Sequence, residues 1–264
     1  MALRAYTTEL AKGQGLIQET LALLEVWQPG MTTPELVGKV LAKGVLSKAT
    51  ALRTKDLVNR AFAHRYLVQH DRPAIYLKRL LQHSLTTKQL SQVFFIHTAR
   101  ANAVLHDFIL EVFWPRYAAG ETYLGKKDAL EFLESAVNRG RISQRWSPPL
   151  NDRVARYLLK CLEDFKLLGP MHKGQREMLP FGIASLTTLY LAHELHFYDL
   201  SDNQVLEHVD WQLFGMERQD VVQEIKRVSF GGHFIVQYSG EILRIAWKYK
   251  TMEECLDAIA ASEL

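Results

Sequence analysis

Three observations in this 264-residue sequence predict a mainly α-helical protein. Apolar residues recur at helical spacing along most of the chain, as in Val93, Phe94, Ile96, Ala99, Val104, Leu105, Phe108 and Val112. Gly44, Gly120, Gly125, Gly169 and Pro170 punctuate these stretches. Extended patterns are confined to residues 171–179 and 233–247, each folding back across a glycine. The full expectation is a multi-helix protein with helix-turn-helix and winged-helix-like modules and a small C-terminal β-hairpin.

Taken in order, residues 8–27 carry helical spacing on Leu10, Leu16, Ile17, Leu21, Leu24 and Val26, interrupted early by Gly13 and Gly15. That Gly-Gln-Gly lacks the third glycine of a dinucleotide fingerprint, and no Gly-Lys-Ser/Thr follows in the chain. Thr32-Thr33-Pro34-Glu35 reads as a helix start, with Leu36, Val37, Val40 and Leu41 on one face and Gly44 as the stop. Ser47 is the expected N-cap of a second helix, whose apolar stripe is Leu57, Val58, Ala61 and Phe62. Two short helices about a glycine turn suggest a helix-turn-helix.

Thr86-Thr87-Lys88-Gln89 opens a long core helix expected to end near Pro115, and an amphipathic helix follows over 127–138 on Leu130, Phe132, Leu133 and Val137. Asn151 is the expected N-cap of the next helix, built on Val154, Leu158, Leu159, Leu162 and Phe165. Residues 171–173 and 176–179 flank Gly174 as a tight hairpin, so helix, hairpin and basic tip make a winged-helix-like module. In such a module the helix enters the major groove, the Lys173-Gly174-Gln175-Arg176 tip touches phosphates and the 127–138 helix braces it. Helices over 183–195, 202–211 and 218–228, a hairpin across Tyr238-Ser239-Gly240-Glu241 and a helix over 252–261 complete the chain. The expected organisation is 1–85, 86–182 and 183–264.

Charge is unevenly spread. Residues 39–88 hold eleven Lys or Arg against two acids, and residues 126–176 hold eleven against six. Residues 177–264 hold six against fourteen. A basic front and an acidic end point to a polyanion-binding surface followed by a part that docks a protein or shields that surface. The candidate nucleic-acid contacts are Lys39, Lys43, Lys48, Arg53, Lys55, Arg60 and Arg65 in the first module. In the second they are Arg153, Arg156, Lys160, Lys173 and Arg176. The denser charge of the first predicts that it carries more of the affinity. Phe62, Tyr66 and Tyr76 keep single-stranded RNA open as a partner, since RNA readers stack bases on aromatic rings.

The 48% hydrophobic content supports one large core or two small ones and excludes disorder. Two cysteines, Cys161 and Cys255, are too few for a disulfide framework or a four-ligand zinc site, so a reducing compartment is expected. The first six residues lack signal-peptide organisation and no apolar run approaches the roughly 20 residues of a membrane span, so a cytoplasmic protein is expected. His193-Glu194-Leu195-His196 has an i, i+3 pair, not the i, i+4 spacing of a metalloprotease, and reads as helix surface. No nucleophile elbow, carboxylate cluster or Cys-His constellation is legible, so no catalytic residue, metal or cofactor is expected.

The chain resembles the BrxA family of bacterial BREX phage-defence systems. The features that carry the resemblance are Tyr6-Thr7-Thr8-Glu9-Leu10 with Gly13 and Gly15, the 45–50 segment with Arg53, and Arg65-Tyr66. Further on come Asp107-Phe108 with Trp114, Arg116, Tyr117 and Gly120, then Trp146-Ser147, Arg153-Val154-Ala155 and residues 162–168. Trp211-Gln212-Leu213-Phe214 and Tyr238-Ser239-Gly240 complete the series. The resemblance implies a mostly helical, non-enzymatic accessory that binds double-stranded DNA through helix-turn-helix-like modules, beside other BREX proteins that include a methyltransferase, an ATPase and a phosphatase-like partner. Labels of inner-membrane protein and of NusB-like RNA-binding protein also attach to the family. The first conflicts with the missing span; the second, and a protein-protein scaffold, stay as alternatives. Lys166 stands where the family is expected to have glycine, which predicts a slightly longer helix.

Overall fold

A computed structural model describes residues 4–46, 49–83, 85–239 and 242–262. The fold is mainly α-helical, with two small antiparallel sheets. The N-terminal helices are α1 (Ile17–Val26), α2 (Thr33–Lys43) and α3 (residues 51–66). A 3-10 turn, Glu9–Lys12, precedes them. Then come α4 (Arg72–Gln82), α5 (Thr87–Ala101), α6 (residues 103–118), β1 (Tyr123–Gly125), α7 (Lys126–Asn138) and α8 (Pro148–Asp164). β2 (Leu168–His172), β3 (Gln175–Met178), α9 (Ser185–His196) and α10 (Asp202–Leu206) follow. A 3-10 segment, Val209–Phe214, leads to α11 (Arg218–Ser229), β4 (Phe234–Ser239), β5 (Ile242–Trp247) and α12 (Met252–Ser262).

Local chemistry explains these boundaries. Thr32 and Glu35 close a capping box at the start of α2, and Gly44 ends it in the left-handed region at φ 59°. Ser47, the expected N-cap of α3, lies outside the described residues; the N-cap is Thr50, whose Oγ1 accepts from the Arg53 amide at 3.2 Å. Likewise α8 starts earlier than Asn151, at Ser147 with Pro148 and Pro149 in the first turn, where a missing N–H costs nothing. The long helix expected to end near Pro115 is two helices. Asn102 turns extended and its Nδ2 donates to the Thr98 carbonyl, ending α5, while α6 runs through Pro115 to Ala118. The π-helical turn Ile109–Phe113 allows this by shifting the bonding to i−5, with the Trp114 amide on the Ile109 carbonyl, just before the proline removes a donor.

The chain divides into two compact units. One comprises residues 1–74 and 94–181, the other 75–93 and 182–264. The division sharpens the charge map. The first unit carries 23 Lys and Arg against 16 Asp and Glu, net +7, and the second 9 against 13, net −4.

In the second unit His193 is not helix surface, contrary to the sequence reading: its side chain is buried and its Nδ1 meets the Leu189 carbonyl at 2.8 Å. Phe234, Trp247 and Tyr249 surround the ring, and His196 stacks on Trp247 at 4.2 Å. Helix α9 is buried nearly all round, so the first three residues of a motif read as surface fold as core and His196 is half-buried. No group of three potential metal ligands occurs among the described residues. Burial pushes the His193 imidazole down to about 4 from its ordinary 6.5, so it is neutral in the fold while the unfolded chain protonates first. Stability is therefore whole above about pH 6.5 and declines as pH falls towards 4, by about 3 kcal/mol from this residue. Urea unfolding of wild type and His193→Gln across that range should show the acid-side slope flattened in the variant.

Candidate nucleic-acid interface

The first unit contains a helix–strand–helix–helix–strand–strand series, α6-β1-α7-α8-β2-β3. Its sheet has the order β1-β3-β2, with Leu124 opposite Arg176 and Arg176 opposite Met171. Leu124, Phe132, Leu133, Val154, Leu158, Leu162, Leu168 and Met178 form its core. Helix α7 packs on α8, and α8 on β2. The β2–β3 turn is Lys173-Gly174, both left-handed at φ 48° and 82°, the geometry that suits a two-residue hairpin. Gly169 and Pro170 sit in an irregularity of the edge strand β2, where proline costs no ladder bond.

Helix α8 does not run longer at Lys166. Its end is a Schellman motif, in which Lys166 donates to the Glu163 carbonyl at 3.1 Å and Leu167 to the Leu162 carbonyl at 2.9 Å. Lys166 itself is left-handed at φ 67°, the conformation that a glycine there would take without strain.

The twelve candidate residues fall into distinct settings. Arg65 is buried, donating to the Gly13 carbonyl at 2.5 Å and the Gly15 carbonyl at 3.4 Å, so it pins the N-terminal loop and is not surface. The Gly15 amide in turn donates to Asp164 Oδ2 at 3.1 Å, and a Cβ on Gly15 would stand 2.6 Å from Asp164 Cβ. This close approach accounts for Gly15 without any phosphate. Arg176 is also buried, on Glu163 at 3.0 Å, so it braces the hairpin from within and is not at the tip. Lys160 is half-buried between Glu163 at 2.8 Å and Asp164 at 3.0 Å. Lys39, Lys43, Lys55 and Arg60 are exposed, with Arg60 near Asp56 at 3.9 Å. Arg53 is half-buried and lines a groove with Gln18, Glu19, Val45, Leu46 and Leu57. Lys48 lies outside the described residues. Arg153, Arg156 and Lys173 are exposed, and Arg156 bonds Asp152 one turn back at 3.0 Å.

Sequence reasoning missed Lys126 and Asp152. Lys126, at the start of α7, reaches Asp152 Oδ1 at 2.7 Å and holds that carboxyl below its usual range, with Arg156 adding to the effect. The i, i+4 spacing of Asp152 and Arg156 was a legible signal; the partner 26 residues away was not. Phe62, Tyr66 and Tyr76 are buried and offer no face to a base.

No helix among the described residues is long and apolar enough to cross a membrane. These features define a mainly helical protein whose basic unit exposes a helix and a hairpin beside it. The BrxA family model matches residues 4–194. The chain belongs to the BrxA family, which places it among the components of BREX phage defence. No curated protein and no solved structure matches it.

Proposed function

We propose that this chain is a non-enzymatic, DNA-binding component of a BREX system that meets duplex DNA through α8 and the β2–β3 hairpin. The observation that carries the reading is the α6-β1-α7-α8-β2-β3 connectivity with sheet order β1-β3-β2, which is that of a winged helix. In it α8 holds the place of the recognition helix, and Lys173-Gly174 is the tip of the wing. Arg156 then faces the major groove and Arg153 and Lys173 meet phosphates, while the net +7 of the unit supplies the long-range attraction. Burial of Phe62, Tyr66 and Tyr76 takes away the stacking surface on which an RNA reading rested, and a deep, narrow A-form major groove does not admit a helix. The acidic second unit suits contact with other BREX proteins.

Binding to duplex DNA, measured by fluorescence anisotropy between about 50 and 200 mM salt, should weaken steeply, since each neutralised phosphate contributes a slope of about −0.9. A slope of roughly −3 to −5 is expected from the exposed cations. A flat dependence, or a preference for single-stranded RNA, would contradict the reading.

A further inference from the structure

We infer that Arg156 is the specificity-determining residue of this interface, a reader of guanine in the major groove, and that Asp152 is the positioning residue that aims it. The inference rests on the DNA-binding reading and gives it a chemical target.

The Arg156 side chain is 63% exposed, yet its Nε is committed: it lies 3.0 Å from Asp152 Oδ2 and donates at 3.4 Å to the Asp152 carbonyl. That leaves Nη1 and Nη2 as the open end of the fork. Two parallel N–H donors from one plane match O6 and N7 of guanine, a pair of acceptors that no other base presents together in the major groove. Asp152 is itself fixed, because its other oxygen takes the Lys126 ammonium at 2.7 Å. One carboxylate therefore joins the first turn of α7 to the first half of α8 and orients the Arg156 guanidinium.

The neighbouring cations lack this combination. Arg153 is exposed with no partner among the described residues, so its charge suits a phosphate more than a base edge. Lys160 is spent on Glu163 and Asp164, and Arg176 is buried against Glu163. An acidic side chain beside DNA costs attraction for every phosphate. Its presence here is accounted for if it selects an orientation.

The test is selection from randomised duplexes with the full chain, comparing wild type, Arg156→Ala, Arg156→Lys and Asp152→Ala. Wild type should enrich guanine at one position of its site; Arg156→Ala should lose that enrichment by about 10-fold, and Arg156→Lys should keep only part of it, since an ammonium lacks the planar fork. Asp152→Ala should bind unselected duplex more tightly while discriminating about 2- to 3-fold less, the scale of an exposed ion pair. A purely electrostatic Asp152 would raise affinity for all duplexes equally and leave the preference whole, which would overturn its positioning role. Retention of the guanine preference by Arg156→Ala, or duplex binding without any preference in wild type, would overturn the assignment while leaving DNA binding intact. Absence of duplex binding in wild type would instead remove the reading beneath it.

Discussion

Asp107→Ala should destabilise the protein by about 3–5 kcal/mol, the range for removing one partner of a buried charge network. Asp107, in α6, meets two groups distant in sequence, Tyr6 and Arg141, and its chain neighbour His106. The Tyr6 hydroxyl donates to its Oδ2 at 2.8 Å, Arg141 pairs with the same oxygen, and His106 Nδ1 stands 3.0 Å from its Oδ1. Arg141 also lies 4.9 Å over the Tyr6 ring and its carbonyl accepts the Tyr6 amide at 2.8 Å, so the carboxylate closes a ring of contacts around Tyr6. Loss of the carboxylate leaves a guanidinium that is 13% exposed without its counter-charge. Burial already pushes the Tyr6 hydroxyl up, so it stays a neutral donor that has lost its acceptor. Thermal unfolding should fall by roughly 10 °C for a chain of this size. A loss under about 1 kcal/mol would mean that the network is dispensable, as exposed ion pairs are.

Much of the fold was legible because it is local. The α2 start at Thr32 to Glu35, its Gly44 stop, the Thr86–Gln89 box and both hairpins follow from short-range chemistry that the sequence displays. Where reading failed, a distant partner decided. Arg65 and Arg176 look like their basic neighbours, and only the carbonyls of Gly13 and Gly15 in one case, and Glu163 in the other, make them internal. His193 was misread because an i, i+3 polar pair ordinarily marks a solvated face, whereas aromatic residues 41 to 56 positions later cover it. Pro115 was read as a terminator because the π turn that accommodates it has no sequence signature. The family features of the N-terminus gain a physical meaning: Tyr6, Asp107, Gly15 and Arg65 hold this basic unit together and take no part in its proposed contact with DNA.

The same burial changes which module should dominate. Counting sequence charge favours residues 39–88, but Arg65 is internal and Arg53 half-buried, so from residue 39 to the end of the first module the described exposed cations are Lys39, Lys43, Lys55, Arg60 and Arg72. The helix and hairpin offer fewer charges in a geometry suited to a groove. The proposal that α8 and the β2–β3 hairpin are the DNA contact is tested most directly by duplex affinity and its salt slope for two variants of the full chain. These are Arg153→Ala with Lys173→Ala, and Lys39→Ala with Lys43→Ala and Lys55→Ala, each checked for native circular dichroism. All five side chains are exposed, so both variants should fold. The account predicts that the first pair lowers affinity by about 10-fold or more and flattens the slope by roughly two units, one per lost phosphate contact, while the lysine triple changes either less. Wild-type binding by the Arg153/Lys173 variant, with binding lost in the lysine triple, would contradict it and make the N-terminal helices the DNA-binding surface.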